Sequence, residues 1–301
     1  MTMTTQTDLL SEKNRVENFI QQGAHQLSSF SFVNIFLWKD FFDFTFEIIE
    51  GNLCVFAASE AGSFLYLPPL GEKISPRAVE ESFQRMRADN QGRGVSRVEN
   101  VEPDHLGAFD PARFSYFKKA EEYVYSREDI VQFRGNDYKS KRSSYNYFLK
   151  NYRHDFLPFE RTMVDECAQL YDQWAEGKMR VPTDEIFKQM VEENRSVHQL
   201  VFEFYQELGL IGRVVLVDGE IKGYTFGYPL NGNTFCVLSE ITDVSVKGLA
   251  TFIFSEFCRD RKVQPFNLVN TMDDFGMENV RRTKISFRPV QTIAAYVVNY
   301  R

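Results

Sequence analysis

The chain has 301 residues, 43% of them hydrophobic, and a formal net charge of −7. A chain of that length exceeds what one core usually fills, so two domains are expected. The acidic balance excludes any global attraction to nucleic acid or anionic lipid, so a phosphate-bearing partner must be met by a local cluster of cations.

The N-terminal MTMTTQTD has no basic region ahead of an apolar run, so no secretory leader is expected. Leu9 to Gln22 reads as a helix, with Ser11 as its cap and Glu12 near the positive end. Phe30 to Trp38 is apolar and reads as a buried helix. It closes the longest stretch free of Asp, Glu, Lys and Arg, which starts at Asn18. Gln21, Gln22, His25, Gln26 and Asn34 make that stretch too polar to cross a bilayer. DFTFEIIEGNLCVFAAS alternates around Gly51–Asn52 as a hairpin, and SFLYLPPLG adds a third strand ended by Pro68 and Pro69. A helix follows from Pro76 to Asp89, then a strand from Val95 to Val101, a short helix from Pro103 to Phe109 and a helix from Tyr138 to Tyr152.

The second half repeats that order. Glu160 to Trp174 and Asp184 to Gln206 are helical by period, with Pro182 and Thr183 marking the second start. Three strands follow, GRVVLVD, EIKGYTFGYPL and NTFCVLSEITDV, joined at Asp218–Gly219 and Asn231–Gly232. Lys247 to Arg259 reads as a helix, Gln264 to Asn270 as a strand, Met277 to Thr283 as a helix and Val290 to Val298 as a last strand. The expected division is 1–157 and 158–301, the second part carrying the working cleft.

The chemistry-bearing residues gather in the last sixty positions. Glu240 and Asp243 stand near the end of a strand, and their spacing points them to opposite faces, so Glu240 is the choice for the cleft. Either it serves as a general base or it is a carboxylate at a strand end. Asn270 is a donor to a bound carbonyl or orders a turn. Asp273 and Asp274 suit an amino group or cap the next helix. Arg281, Arg282 and Lys284 form a basic patch, for phosphate or simply for the helix's negative end. Lys139, Lys141 and Arg142 open a helix, where cations are unfavourable, so an anionic ligand or an ion pair is expected of them. The four histidines, His25, His105, His154 and His198, show no metal-ligand spacing, and no metal is expected. The four cysteines, Cys54, Cys167, Cys236 and Cys258, form no CxxC pair and are expected to be reduced, buried thiols of a cytoplasmic protein.

The meander, helix start, strand and helix of the second half resemble the GNAT acyltransferase fold. That fold commonly opens the helix after its fourth strand with Gln/Arg-x-x-Gly-x-Gly/Ala, whose N–H groups hold a pyrophosphate. Here Gly248 and Ala250 match, while Ser245 replaces the Gln or Arg. Longer stretches are similar to the family of the C-terminal catalytic domain of phosphatidylglycerol lysyltransferases, soluble paired GNAT-like domains. They are SFVNIFLW (Ser31 to Trp38), LPPLG (Leu67 to Gly71), EEYVYSREDIVQFRGNDYKSKRSSYNYF (Glu121 to Phe148), ECAQLYDQW (Glu166 to Trp174) and NTMDDFGMENVRRTKISFRPV (Asn270 to Val290).

The resemblance implies an α/β (α+β) fold of two tandem GNAT-like domains, mixed sheets flanked by helices. It also implies transfer of an aminoacyl group from aminoacyl-tRNA to a hydroxyl or amine, the acceptor being a small molecule or a lipid head group. Lipid-modifying members typically add a membrane-embedded domain, which this sequence does not show. Three departures stand out. Glu240-Ile241-Thr242-Asp243 replaces the family's Glu-Lys-Ala-Asp. Asn270 to Gly276 replaces Asn-Arg-Glu-Asp-Leu-Gly and is one residue longer. Ser143 follows Lys141-Arg142 where Asn is usual. A non-catalytic binding module and a coenzyme A-dependent N-acetyltransferase are the two alternative expectations.

Overall fold

The computed structural model describes residues 6–179 and 185–301. It divides into two compact units, one of Met1–Glu122, Asp273–Gly276 and Thr292–Arg301, the other of Tyr123–Met272 and Met277–Gln291. This differs from the expected division after 157. Position 157 falls inside a strand of the second unit, and the C-terminal strand belongs to the first.

In the first unit, α1 (Gln6–Ser11) and α2 (Lys13–Ile20) replace the single expected helix; Ser11 ends α1 and does not cap it. Helix α3 (Phe32–Leu37) is buried along its whole length, and Ser31 caps it by accepting from Asn34 N. Strands β1 (Asp43–Ile49) and β2 (Asn52–Ser59) turn through Glu50 and Gly51, both at positive φ, as a tight hairpin requires. After β3 (Gly62–Leu65), α4 (Pro76–Asp89) starts at the predicted proline and packs on β1, β2 and β3. Strand β4 (Arg97–Val101) leads into a short 3-10 helix, Pro103–Ala108. The long β5 (Phe114–Ser126) begins in this unit and ends in the other. Strand β11 (Gln291–Tyr300) returns to pair with β4, giving the order β1-β2-β3-β4-β11-β5, with β3 and β4 parallel.

The second unit opens with α5 (Arg127–Gln132) and α6 (Lys139–Asn151), then β6 (His154–Pro158). Helices α7 (Val164–Met179) and α8 (Glu185–Phe204) precede the meander β7 (Ile211–Val217), β8 (Glu220–Pro229) and β9 (Thr234–Thr242). Asp218 and Gly219 make the first turn as expected. The second link is longer, Leu230 to Asn233, with Asn231 Oδ1 accepting from Asn233 N and Thr234 N. Helix α9 (Leu249–Arg259), the three-residue β10 (Leu268–Asn270) and α10 (Glu278–Ser286) complete the unit. Its strand order is β5-β10-β9-β8-β7-β6.

Successive residues of β8 show which helices cover which face. Tyr224 and Phe226 pack on His198 and Phe202 of α8, whereas a Cβ at Gly223 would lie 3.4 Å from Ile253 of α9. The apolar cluster of Phe148, Val215, Val217, Leu249, Phe252 and Ile253 therefore binds α6 and α9 to one side of the sheet, with α8 on the other.

Candidate active site

Strands β9 and β10 are parallel and pair only at Thr234, Phe235 and Cys236 against Leu268, Val269 and Asn270. Beyond that point they part. The chain after β10 stays with β5, through Thr271 N to Tyr123 O at 3.0 Å and Tyr123 N to Met272 O at 3.2 Å. Strand β9 continues against β8 alone, with a bulge at Leu238, because Val237 pairs with Gly227 and Ser239 with Phe226. Glu240 lies on the unpaired half of β9, opposite Thr225.

Glu240 is partly buried, and its carboxyl is pushed up to about 8 by that burial, against the lowering pull of Lys284 and then Lys141. Lys141, in the first turn of α6, is brought down to about 8 by its own burial, with Glu240 acting in the opposite direction. Its Nζ sits 3.6 Å from the centre of the Phe287 ring. Lys284 turns inward from α10. Its ammonium donates to Thr271 O, and to Thr271 Oγ1 and Met272 O at 3.3 Å, with the Tyr123 ring 5.8 Å away. Two tyrosines hold this end of α10: Tyr125 donates to Lys284 O at 3.0 Å and Tyr138 to Phe287 O at 3.2 Å. One carboxyl coupled to two ammonium groups, with the Phe287 and Tyr123 rings beside them where β9 is unpaired, suits an electron-rich ligand that also has a proton to give.

Among the sequence candidates, Glu240, Lys141 and Lys284 are brought together. Asn270 is fully buried at the parting of the strands, and its Oδ1 accepts from Met272 N at 2.7 Å, holding Met272 at a φ of +62. Asp243 faces elsewhere. Burial acts to raise it, but Ser245 N at 2.9 Å, Ser245 Oγ at 2.6 Å and Lys222 at 3.5 Å hold it below its ordinary value. Arg142 donates to Phe133 O and Gly135 O, closing the end of α5, where Phe133 is left-handed. Of the unfavourable cations at the start of α6, Lys141 is thus accounted for by Glu240 and Arg142 by α5, while Lys139 is exposed. Arg281 and Arg282 are exposed, and Arg282 pairs with Glu278 at 2.9 Å, the solvated alternative of the basic patch. Asp273 and Asp274 fall in the Asp273–Gly276 segment of the first unit, where Asp274 Oδ1 accepts from Gly276 N at 2.9 Å.

Gly248 caps α9 at a φ of +92, and a Cβ there would lie 2.4 Å from Ser144 O of α6. The glycine is required by that close approach, while Ala250 is exposed. Sequence reasoning passed over Tyr123, Thr271 and Phe287. The aromatic at Phe287, one helical turn after Lys284, is the signal that would have found the last of these. A separate depression of about 340 Å³ is lined by Arg161, Val164, Ala168, Gln199, Phe202 and Glu203, none of them from this group.

The family described as phosphatidylglycerol lysyltransferase, C-terminal, matches residues 21–299. No curated protein matches the sequence. A conserved protein of unknown function from Bacteroides thetaiotaomicron VPI-5482 superposes with a TM-score of 0.86 at 23% identity, covering 97% of each chain. The C-terminal domain of a putative lysylphosphatidylglycerol synthetase from Agrobacterium fabrum gives 0.68 at 13% identity, over 98% of this chain and 92% of that one. L-PGS from Bacillus licheniformis gives 0.66 at 18% identity, over 95% and 91%. A tandem GNAT protein from the clavulanic acid biosynthesis pathway gives 0.52 at 8% identity, so the fold is the tandem GNAT-like α/β arrangement. By the extent of the family match, this chain belongs to the phosphatidylglycerol lysyltransferase C-terminal family.

Proposed function

We propose that the second unit transfers an aminoacyl group from aminoacyl-tRNA to a hydroxyl or amine acceptor by direct attack, without a covalent enzyme intermediate. The parting of β9 and β10 beside Glu240, Lys141 and Lys284 carries this reading. Ionised Glu240 takes the proton of the attacking hydroxyl or amine as the new bond to the acyl carbon forms. Lys141 and Lys284 stabilise the negative charge that develops on the carbonyl oxygen. The bond to the ribose oxygen then breaks, and protonated Glu240 returns its proton to that leaving oxygen. The family's own description, a lysyltransferase, supports aminoacyl transfer as the class of reaction.

Ser245 Oγ is engaged by Asp243, and Gly248 is covered by Ser144 O. Both observations weigh against a coenzyme A pyrophosphate at the start of α9 and favour a different donor. A non-catalytic binding module is the second reading, favoured by the hydrogen bonds of Lys284 to Thr271 O and Met272 O. The deciding experiment incubates purified protein with aminoacyl-tRNAs, phosphatidylglycerol or small hydroxyl and amine acceptors, with product identified by mass spectrometry. Transfer that Glu240→Gln abolishes supports the first reading. Binding of aminoacyl-tRNA without product supports the second.

A further inference from the structure

Away from the acyl-transfer residues, the first unit brings together three side chains whose spacing along the chain shows no metal pattern. His25 lies between α2 and α3, Glu102 at the end of β4 and His105 in the 3-10 helix that follows. A ligand atom from each lies within 4.8 Å of the other two. Glu102 Oε2 is 3.1 Å from His25 Nδ1 and 3.7 Å from His105 Nδ1.

We propose that His25, Glu102 and His105 bind one zinc-class divalent transition-metal ion, with water in the fourth position. Two imidazoles and one carboxylate form the donor set such ions take, whereas calcium and magnesium require a shell of oxygens. Tetrahedral zinc with ligand bonds near 2.0–2.2 Å spaces its ligand atoms about 3.3–3.5 Å apart, and the two observed separations bracket that value. The ligands are also held from behind. Glu102 Oε1 accepts from Gln26 N at 2.6 Å and Leu27 N at 2.9 Å, which aims Oε2 at the two rings. The His25 ring stacks on Phe30 at 3.9 Å, and its Nε2 rests where a Cβ on Gly23 would be 2.5 Å away. That seat leaves Nδ1 as the atom facing Glu102.

A purely structural role accounts for Glu102 and for the Nδ1 of His25, which tie the loop after α2 to the end of β4. It accounts for the His105 ring, which meets His25 edge-on at 5.3 Å, but not for its Nδ1, which is buried 3.7 Å from Glu102 Oε2 and makes no hydrogen bond among the described residues. Burial of a ring nitrogen without a hydrogen bond is unfavourable, and a metal ion satisfies it. The His105 side chain keeps 22% of its exposure, which gives the ion a path in, and exposed Asp104 adds negative charge at the mouth.

The test uses tag-free chain treated with chelator, titrated with zinc sulfate in a calorimeter and with cobalt(II) in a spectrophotometer. One zinc ion per chain is expected, with the visible bands of four-coordinate cobalt. His105→Ala, with its fold checked by circular dichroism, should weaken binding at least about tenfold, the scale on which metal sites respond to loss of a supporting group. Because His25→Ala removes the stacking on Phe30 and can unfold the loop, His105→Ala and Glu102→Gln are the deciding variants. No stoichiometric binding overturns the proposal. So does binding that His105→Ala leaves unchanged, which would mark an adventitious surface site.

Discussion

Lys141 of α6 and Glu240 of β9 set each other's charge. Both are desolvated, both are brought to about 8, and each favours the ionised form of the other. Removing either group therefore changes the chemistry of the one that remains.

Glu240→Gln should lower transfer by about 10²–10⁴-fold, the usual scale of general-base assistance. Substrate affinity should change little, so the loss should appear in kcat under single-turnover conditions. An undiminished kcat would remove Glu240 from the reaction.

The rate of transfer should rise with pH towards about 8 as Glu240 loses its proton, and fall above that as Lys141 loses its own. The two groups titrate as a pair, so the optimum is narrow. In Lys141→Met the rising limb should move to higher pH, since the lysine's charge lowers the Glu240 pKa. A pH–rate profile of the two proteins checks the direction.

Stability should follow the same carboxyl. Between its ordinary value of 4.5 and about 8, folded Glu240 keeps a proton that the unfolded chain releases. The folded state is therefore favoured less as pH rises through that window. Lys141, lowered from 10.5 to about 8, acts in the opposite direction at higher pH. Melting curves of wild type and Glu240→Gln at the two ends of the lower window should show the variant gaining relative stability at the upper end.

Asp243→Ala should cost about 1 kcal/mol by releasing Ser245 N, on the scale of a lost side-chain cap. It should leave transfer intact, because the carboxylate faces Lys222 and Ser245. Loss of activity without loss of stability would return Asp243 to the chemistry.

Gly248→Ala should destabilise by about 2 kcal/mol or more, since φ of +92 disfavours any side chain and the new methyl meets Ser144 O. Urea unfolding with an unchanged m-value would read the loss directly. A neutral substitution would mean that α6 and α9 can separate there.

Local signals were legible in the sequence because their causes are local. Pro76 starts α4 where proline's fixed φ fits a first turn, and Asp218–Gly219 turns β7 into β8. The period of α7 follows from one buried face, Cys167, Leu170, Tyr171 and Ala175, whereas β2 and β8 are buried almost continuously and are marked by their apolar runs. The resemblance in the longer stretches carried the fold class and the family.

Other features depended on distant parts of the chain. β5 went unread because it runs from an exposed middle into a buried end and crosses from one unit to the other at Tyr123, so no single pattern runs along it. β11 completes the first unit's sheet from the far end of the sequence, a pairing that composition does not encode. Glu240, Lys141 and Lys284 come from β9, α6 and α10, as His25, Glu102 and His105 come from two separate regions of the first unit. The residue types were visible in the sequence by itself, but only tertiary structure decided which were desolvated together. Burial and charge act through space, at distances that sequence spacing does not measure.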